Sequence, residues 1–530
     1  MIKQINSVVV VGGGSAGWMS AAALIRTFPN KNITVIESPD VPIVGVGEST
    51  LGAIKKFCHY LDIDEKDFIQ YTDATLKMSI KFTDFFEKDS GSFHYPFGNP
   101  VLNNVSRSTQ DWLIKKAIYE NTPVEDFVDC YFPSAALFKT NKFSANLDKK
   151  YDNFNPRNDV AYHFDATKFG AWLKNKYCLP KGVTLIPSTV TEVKLDDNGI
   201  KELILKDGTT VQADLFIDCT GFKSLLIGQE LKVPFDSFED ILINNRAWAC
   251  QVPYKQKEKE IEPFTHCTAI GHGWVWNTPL WSRLGTGYVY SDKFISPDDA
   301  KEEFKKYLMS DKMTVPRTAE EIEKLSFKDV PMRVGMHKQT FVKNVVAIGL
   351  SAGFLEPLES NGLYSVHEFL FKLLKTISKG SVTQWDRDVY NDTVFLMFRS
   401  FAEFISLHYA LSIRDDTEYW RSNSQREYSN YFGINKKLVG GFDSLKQSKM
   451  FEYSLPDVTG INWVAAGMNY FVYDDIAEKI IQTEENMDRK NKYSGMFNEF
   501  ENRKNRWREA AEKEPSLYEY LKNTYYKDKE

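Results

Sequence analysis

An α/β fold, with a dinucleotide-binding β-α-β unit, a β-meander returning to the same sheet and a mainly helical C-terminal cap, is predicted by three observations. An apolar run, Val8-Val9-Val10-Val11, leads into Gly12-Gly13-Gly14-Ser15-Ala16-Gly17 and then into an alanine-rich stretch. Two hairpin signals, Asn198-Gly199 and Asp207-Gly208, separate short alternating segments across residues 183–216. Over the last ~130 residues the strand pattern gives way to helical, charged and aromatic periodicity.

Residues 7–11 read as a buried parallel strand, 18–28 as a helix that ends before Pro29, and 33–36 as the second strand of the unit. Glu37 follows Gly17 by 20 residues, near the usual place of the acid that accepts ribose hydroxyls. In this setting Gly12 permits the tight turn, Gly14 lets backbone approach a pyrophosphate, and Gly17 lets helix and strand pack closely. Amides at the helix start, at Ser15 and Ala16, face the phosphates. The meander leads into Ala213-Asp214-Leu215-Phe216-Ile217-Asp218-Cys219-Thr220-Gly221-Phe222, and its return to the first sheet resembles the glutathione-reductase class of FAD folds. Residues 345–350 form another short apolar strand, and the resemblance puts Gly349 among the cofactor-binding residues. The turn-rich loop 351–362 that follows passes beside the flavin ring in that resemblance. Residues 1–420 are expected to interleave FAD and substrate parts in one core, and 421–530 to be mainly helical, notably over 476–487 and 499–513.

Composition narrows the function class. With 42% hydrophobic and 26% charged residues the chain has the makeup of a globular enzyme rather than a disordered segment. A net charge of −6 offers no field for nucleic acid. No apolar run approaches the ~20 residues that span a bilayer, and the N-terminus turns directly into a strand without a signal peptide, so a cytoplasmic location is expected. The six cysteines form no C-x-x-C pair, so no metal site is expected.

The chemistry is carried by motifs far apart in the chain. Gly273-Trp274-Val275-Trp276-Asn277-Thr278-Pro279 resembles G-W-x-W-x-I-P, the signature of the flavin-dependent aromatic halogenases, with Thr278 in place of isoleucine. Together with the N-terminal loop, this resemblance covers residues 5 to about 420, including His163-Phe164-Asp165-Ala166 and the stretch 285–291, and decays beyond. It implies an enzyme that uses FADH2 and O2 to oxidise a halide (chloride, bromide or iodide) to hypohalous acid, which then substitutes an electron-rich aromatic. One dinucleotide loop implies that a separate NAD(P)H-dependent reductase supplies the reduced flavin. Family members are often dimers, so the resemblance admits a homo-oligomer.

The resemblance also assigns residues. Lys77, in Ala74-Thr75-Leu76-Lys77-Met78-Ser79-Ile80-Lys81-Phe82, matches the segment with the family's essential lysine. Read alone it is a surface lysine beside Lys81; as a family member it is buried and holds hypohalous acid by a hydrogen bond or as a haloamine. Gly45-Val46-Gly47-Glu48-Ser49 upstream also matches, adding Gly47 and Glu48 to the cofactor-binding residues. Phe354-Leu355-Glu356-Pro357-Leu358-Glu359-Ser360-Asn361-Gly362 resembles F-V-E-P-L-E-S-T-G, which makes Glu359 the carboxylate that stabilises the arenium and takes its proton, places Ser360 in the substrate pocket, and gives Asn361 and Gly362 the halide-binding amides. Asn361 stands where threonine is usual. Trp274 and Trp276 share one strand face and are expected to wall the flavin site from the substrate.

Tyr95, Pro96 and Phe97 are expected in the substrate pocket, with Tyr95 where free-tryptophan halogenases carry histidine. Their Y-Y-G-N-F-E-E-E-F-type lid has no counterpart; residues 449–470 read Met450-Phe451-Glu452-Tyr453-Ser454-Leu455-Pro456 and then Asn462-Trp463-Val464-Ala465-Ala466-Gly467-Met468. A zwitterion would lack charged partners there, which favours a neutral indole or phenol over free tryptophan. An aromatic hydroxylase on the same fold is the alternative, and a flavin-binding protein without turnover the third reading.

Overall fold

The computed structural model describes residues 4–40, 48–102, 110–148, 151–426, 428, 459–470 and 486–527. The chain is mixed α/β and divides into two compact units, each assembled from three segments. Met1–Ala74, His163–Ala247 and Asp329–Ala402 form the first, and Thr75–Tyr162, Trp248–Lys328 and Glu403–Glu530 the second.

The first unit is built on a six-stranded sheet whose order is Phe341–Val342, Val345–Ala347, Leu215–Asp218, Ser7–Val11, Asn32–Ile36, Thr184–Ile186. Ser7–Val11 pairs in parallel with both of its neighbours, and Val8 to Val11 are buried, as a continuous valine run in a doubly covered parallel sheet requires. The first helix is Ser15–Thr27, with Gly14 at its N-cap, and it ends at Phe28, which leaves the helical conformation (φ −129°, ψ 68°) before Pro29. It starts three residues earlier than the apolar pattern indicates. Ser15, Ala16 and Gly17 carry no large apolar side chain, so their helical conformation leaves no mark in the hydrophobic periodicity.

The meander forms as its turn residues dictate. Val190–Asp196 pairs antiparallel with Gly199–Leu205, with Gly199 at φ +124°, and Thr210–Val211 follows. Its return is pinned by Asn344, whose Oδ1 accepts from the Ile200 amide (2.8 Å) while Nδ2 donates to the Ile200 carbonyl (2.9 Å). That side chain immediately precedes the strand Val345–Ala347.

The second unit carries a sheet in which Leu284–Tyr290, Gly273–Pro279, Phe264–Ile270, Ser79–Thr83 and Ser92–Pro96 are successive neighbours. Helix Pro297–Met309, capped by Ser296, packs Phe304, Tyr307 and Leu308 against Val275, Tyr288 and Tyr290. Val275 thus faces this helix, and Trp274 and Trp276 face the opposite side.

The C-terminal region is helical where it is described: Thr459–Gly467, Asn486–Glu512 and Leu517–Thr524. The expected helix over 499–513 lies almost wholly within Asn486–Glu512, while most of the stretch 476–487 lies outside the described residues. Asn486–Glu512 is fixed by Asp126, which accepts from both Lys115 and Lys504 at 2.8 Å. Burial works against this carboxylate's charge, but the two ammonium groups prevail and bring its pKa down to about 2. All six cysteines are buried free thiols, and burial pushes Cys58 and Cys250 up to about 12. Among the described residues no helix is long and apolar enough to cross a membrane.

Candidate active site

The glycine loop of the first unit is closed on its protein side and open on the other. Gly12 sits at φ +117°, where a Cβ would collide with the Cys219 carbonyl oxygen, and a Cβ at Gly17 would collide with the carbonyl of Gly12. At Gly14, by contrast, a Cβ would meet nothing within 4 Å. Gly349, at φ +75°, lies so close to the helix start that its Cβ would be 2.7 Å from that of Ala16. Ser15 donates its hydroxyl to the Ala166 carbonyl at 2.9 Å.

The loop therefore has the features a dinucleotide needs: unobstructed backbone at Gly14, a helix N-terminus behind it, and an acid at its edge. That acid, Glu37, lies against Gly13 and accepts from Lys174 Nζ at 2.6 Å. Lys174 is a partner that sequence reasoning missed, because no local pattern links residues 137 positions apart. Gly47 lies outside the described residues, and for Glu48 only the backbone is described, in the two-residue strand Glu48–Ser49 paired with His163 and Phe164.

The acidic motif of the same unit folds as a tight loop feeding a helix. Pro357–Glu359 makes a 3-10 turn, Ser360 takes the left-handed conformation at φ +58°, and Asn361 caps the helix Gly362–Ile377. Glu359, Ser360 and Asn361 are buried, whereas Gly362 is exposed. Among the contacts that hold the loop, Ser360 Oγ lies 3.0 Å from Ser49 Oγ, Asn244 Nδ2 donates to Glu356 Oε2 at 2.6 Å, and Asn361 Nδ2 donates to the Glu356 carbonyl at 3.3 Å. Asn361 thus spends its side-chain donor on its own loop. Asn244, 112 positions from Glu356, is a second partner the sequence did not reveal.

In the second unit Lys77 ends the strand Thr75–Lys77 and is completely buried, with Nζ 5.1 Å from the centre of the Phe97 ring. Thr75 Oγ1 donates to the Pro279 carbonyl (2.6 Å) and the Phe97 amide to the Met78 carbonyl (2.9 Å). Lys77 is so brought together with Phe97 and with the end of the tryptophan-bearing strand. Pro96 is buried and pairs with Ser79, and Tyr95 is half-buried beside Phe404 at 6.0 Å between rings. His94 precedes Tyr95 in the chain and is buried. Burial, with help from Lys81 and Lys139, holds its pKa well below the usual value, and it stacks on Phe138 with Nδ1 3.0 Å from Ser79 Oγ.

Trp274 and Trp276 share one strand face, with ring centres 6.2 Å apart. Gly287 on the neighbouring strand makes room for Trp276, since a Cβ there would collide with the indole. Gly287→Ala is accordingly expected to cost about 1–3 kcal/mol of stability by overpacking. An unchanged denaturant midpoint would show that the indole can move without penalty.

The predicted residues thus fall into two sets. Gly12, Gly14, Ser15, Ala16, Gly17, Glu37, Gly349, Glu359, Ser360, Asn361 and Gly362 belong to the first unit, and Lys77, Tyr95, Pro96, Phe97, Trp274 and Trp276 to the second. Comparison with known proteins gives these sets a context: the tryptophan halogenase family model matches residues 7–468. This chain belongs to the tryptophan halogenase family. The match extends past residue 420, where the sequence resemblance was expected to end.

Among its relatives in the family are tryptophan 6-halogenase SttH of Streptomyces toxytricini, 34% identical over 80% of this chain and 82% of its own length, and tryptophan 7-halogenase RebH of Lentzea aerocolonigenes, 32% identical over 83% and 82%. Of solved structures, VirX1 in its apo form shares 36% identity at a TM-score of 0.87, covering 99% of both chains. The crystal structure of SttH gives 29% and 0.81, covering 97% of this chain and 99% of the other. The protein is therefore a flavin-dependent halogenase, and the hydroxylase alternative is not favoured.

Proposed function

We infer that this tryptophan halogenase family member halogenates a neutral indole or phenol, with Lys77 as the halogen-delivering residue and Glu359 as the base. Bound FAD, as FADH2, would supply the electrons that with O2 and halide give hypohalous acid. Gly12, Gly14, Ser15, Ala16 and Gly17 would hold its pyrophosphate, Glu37 its ribose, and Gly349 the closest approach to the loop; Gly47 and Glu48 join them on the family motif. A separate NAD(P)H-dependent reductase would provide the reduced flavin.

The observation that carries the assignment is the complete burial of Lys77 against Phe97. A buried amine is shielded from bulk water and can hold hypohalous acid by a hydrogen bond or as a haloamine. The new carbon–halogen bond forms as the halogen leaves oxygen or nitrogen, and the displaced ring proton passes to Glu359. Asn361 and Gly362 amides, at the N-terminal end of the helix Gly362–Ile377, suit a halide. Trp274 and Trp276 would exclude the aromatic substrate from the flavin side, and Tyr95, Pro96, Phe97 and Ser360 would contact it.

The substrate class rests on the helix Thr459–Gly467, at the place of the missing lid. Its sequence, TGINWVAAG, contains no charged residue, and Ile461, Trp463, Val464, Ala465 and Ala466 are buried. A zwitterion finds no ion-pair partner on it. With its curated relatives named as tryptophan halogenases, the discriminating experiment is direct competition between free tryptophan and indole. The expected kcat/KM ratio favours indole by about tenfold or more, corresponding to about 1.4 kcal/mol of unpaired charge. Equal or better use of tryptophan would refute the substrate assignment and leave the Lys77 role intact.

A further inference from the structure

The second unit contains a cavity that the halogenase reading does not use. Its volume is about 360 Å³, within the range of about 300–1,000 Å³ common for small-molecule sites. Phe85, Phe86 and Phe93 line it with Val124, and one end of the helix Thr459–Gly467 closes it at Gly467. That helix also meets Tyr95, at its other end. A Cβ at Gly467 would collide with the Phe93 ring, and one at Gly460 would lie 2.6 Å from the Tyr95 hydroxyl, so the two rings meet the helix at points seven residues, about 10 Å, apart.

The charges at the opening have one dominant sign. Glu87, Glu120 and Glu125 are exposed there, against a single lining cation among the described residues, Lys116. The Lys116 ammonium is tied to the loop itself, donating to the carbonyl oxygens of Glu120 (2.8 Å) and Thr122 (2.6 Å). Glu125 shares Lys139 at 4.0 Å. Neither Glu87 nor Glu120 forms an ion pair with a described residue, although the Lys116 charge lies near enough to act on Glu120, and the opening keeps an excess of carboxylate over a floor of phenylalanine rings. Carboxylates with aromatic faces suit a compact cation carried on an apolar body.

We propose that this cavity is a second binding site, for an organic ammonium ion with an aromatic or aliphatic body, separate from the pocket at Tyr95 and Lys77. The test titrates 2-phenylethylammonium into the full-length, FAD-loaded protein by calorimetry, with 2-phenylethanol as the neutral counterpart and saturating indole as competitor. The ammonium ion is expected to bind more tightly than the alcohol, to be indifferent to indole, and to weaken as salt is raised. In the E87Q/E120Q variant its affinity is expected to fall about fivefold, the size of two exposed charge contacts. Both glutamates are exposed, so the variant should fold with an unchanged Tm.

Three results would overturn the proposal: equal affinity for the alcohol, unchanged affinity in the double variant, or no saturable binding at millimolar ligand. Displacement by indole would do the same by assigning the ligand to the substrate pocket. None of these outcomes bears on halogenation, which is measured separately by product mass.

Discussion

Replacing Lys77 by alanine lowers aromatic halogenation by about a thousandfold or more while FAD binding is unchanged, because a positioned catalytic group contributes about 10²–10⁴ in rate. The glycine loop, Glu37 and Gly349 belong to the first unit and Lys77 to the second, so the proposed assignment puts cofactor affinity and halogen delivery on different residues. Truncating a completely buried lysine also removes packing against Phe97, and the alanine variant alone would confound lost chemistry with lost structure. Lys77→Met resolves this by keeping most of the volume without the amine. Both variants should retain the FAD dissociation constant, measured by flavin fluorescence, and neither should halogenate. A methionine variant with parental activity would remove the delivery role.

Glu359→Gln is expected to lower kcat by about 10²–10⁴ with little change in KM, since the amide keeps the shape of the side chain but cannot take the ring proton. The loop that carries it is held by Asn244 on Glu356 and by Asn361 on the Glu356 carbonyl, contacts the substitution does not touch. A loss confined to KM would reassign Glu359 to substrate binding, and an unchanged kcat would end its role as base. Comparison of the two variants with the same indole separates delivery of the halogen from removal of the proton.

The parts of this protein that were legible in its sequence are those set by local geometry. Gly12 and Gly17 are dictated by a turn and by a helix packed on a strand, and the hairpins by Asn198-Gly199 and Asp207-Gly208, all within a few residues. Trp274 and Trp276 share a face because strand side chains alternate. Contacts between distant residues were not legible. Lys174 on Glu37, Asn244 on Glu356 and Asn344 on Ile200 join residues more than a hundred positions apart, and no periodicity encodes them. The start of the first helix at Ser15 was hidden for another reason: residues given over to the loop carry no apolar side chain to mark the period. The burial of Lys77, beside the half-buried Lys81, likewise followed from family resemblance and not from its own neighbours in sequence.

The central claim, delivery of an oxidised halogen by Lys77, is tested most directly by the mass of the product formed from indole. The FAD-loaded protein is supplied with a flavin reductase, NADH, O2 and chloride, bromide or iodide in turn, beside the Lys77→Met variant. The parent protein is predicted to give indole in which one hydrogen is replaced by halogen, and the variant to give none. An indole that has gained one oxygen atom from the parent, or halogenated indole at the parental rate from the variant, would contradict the account.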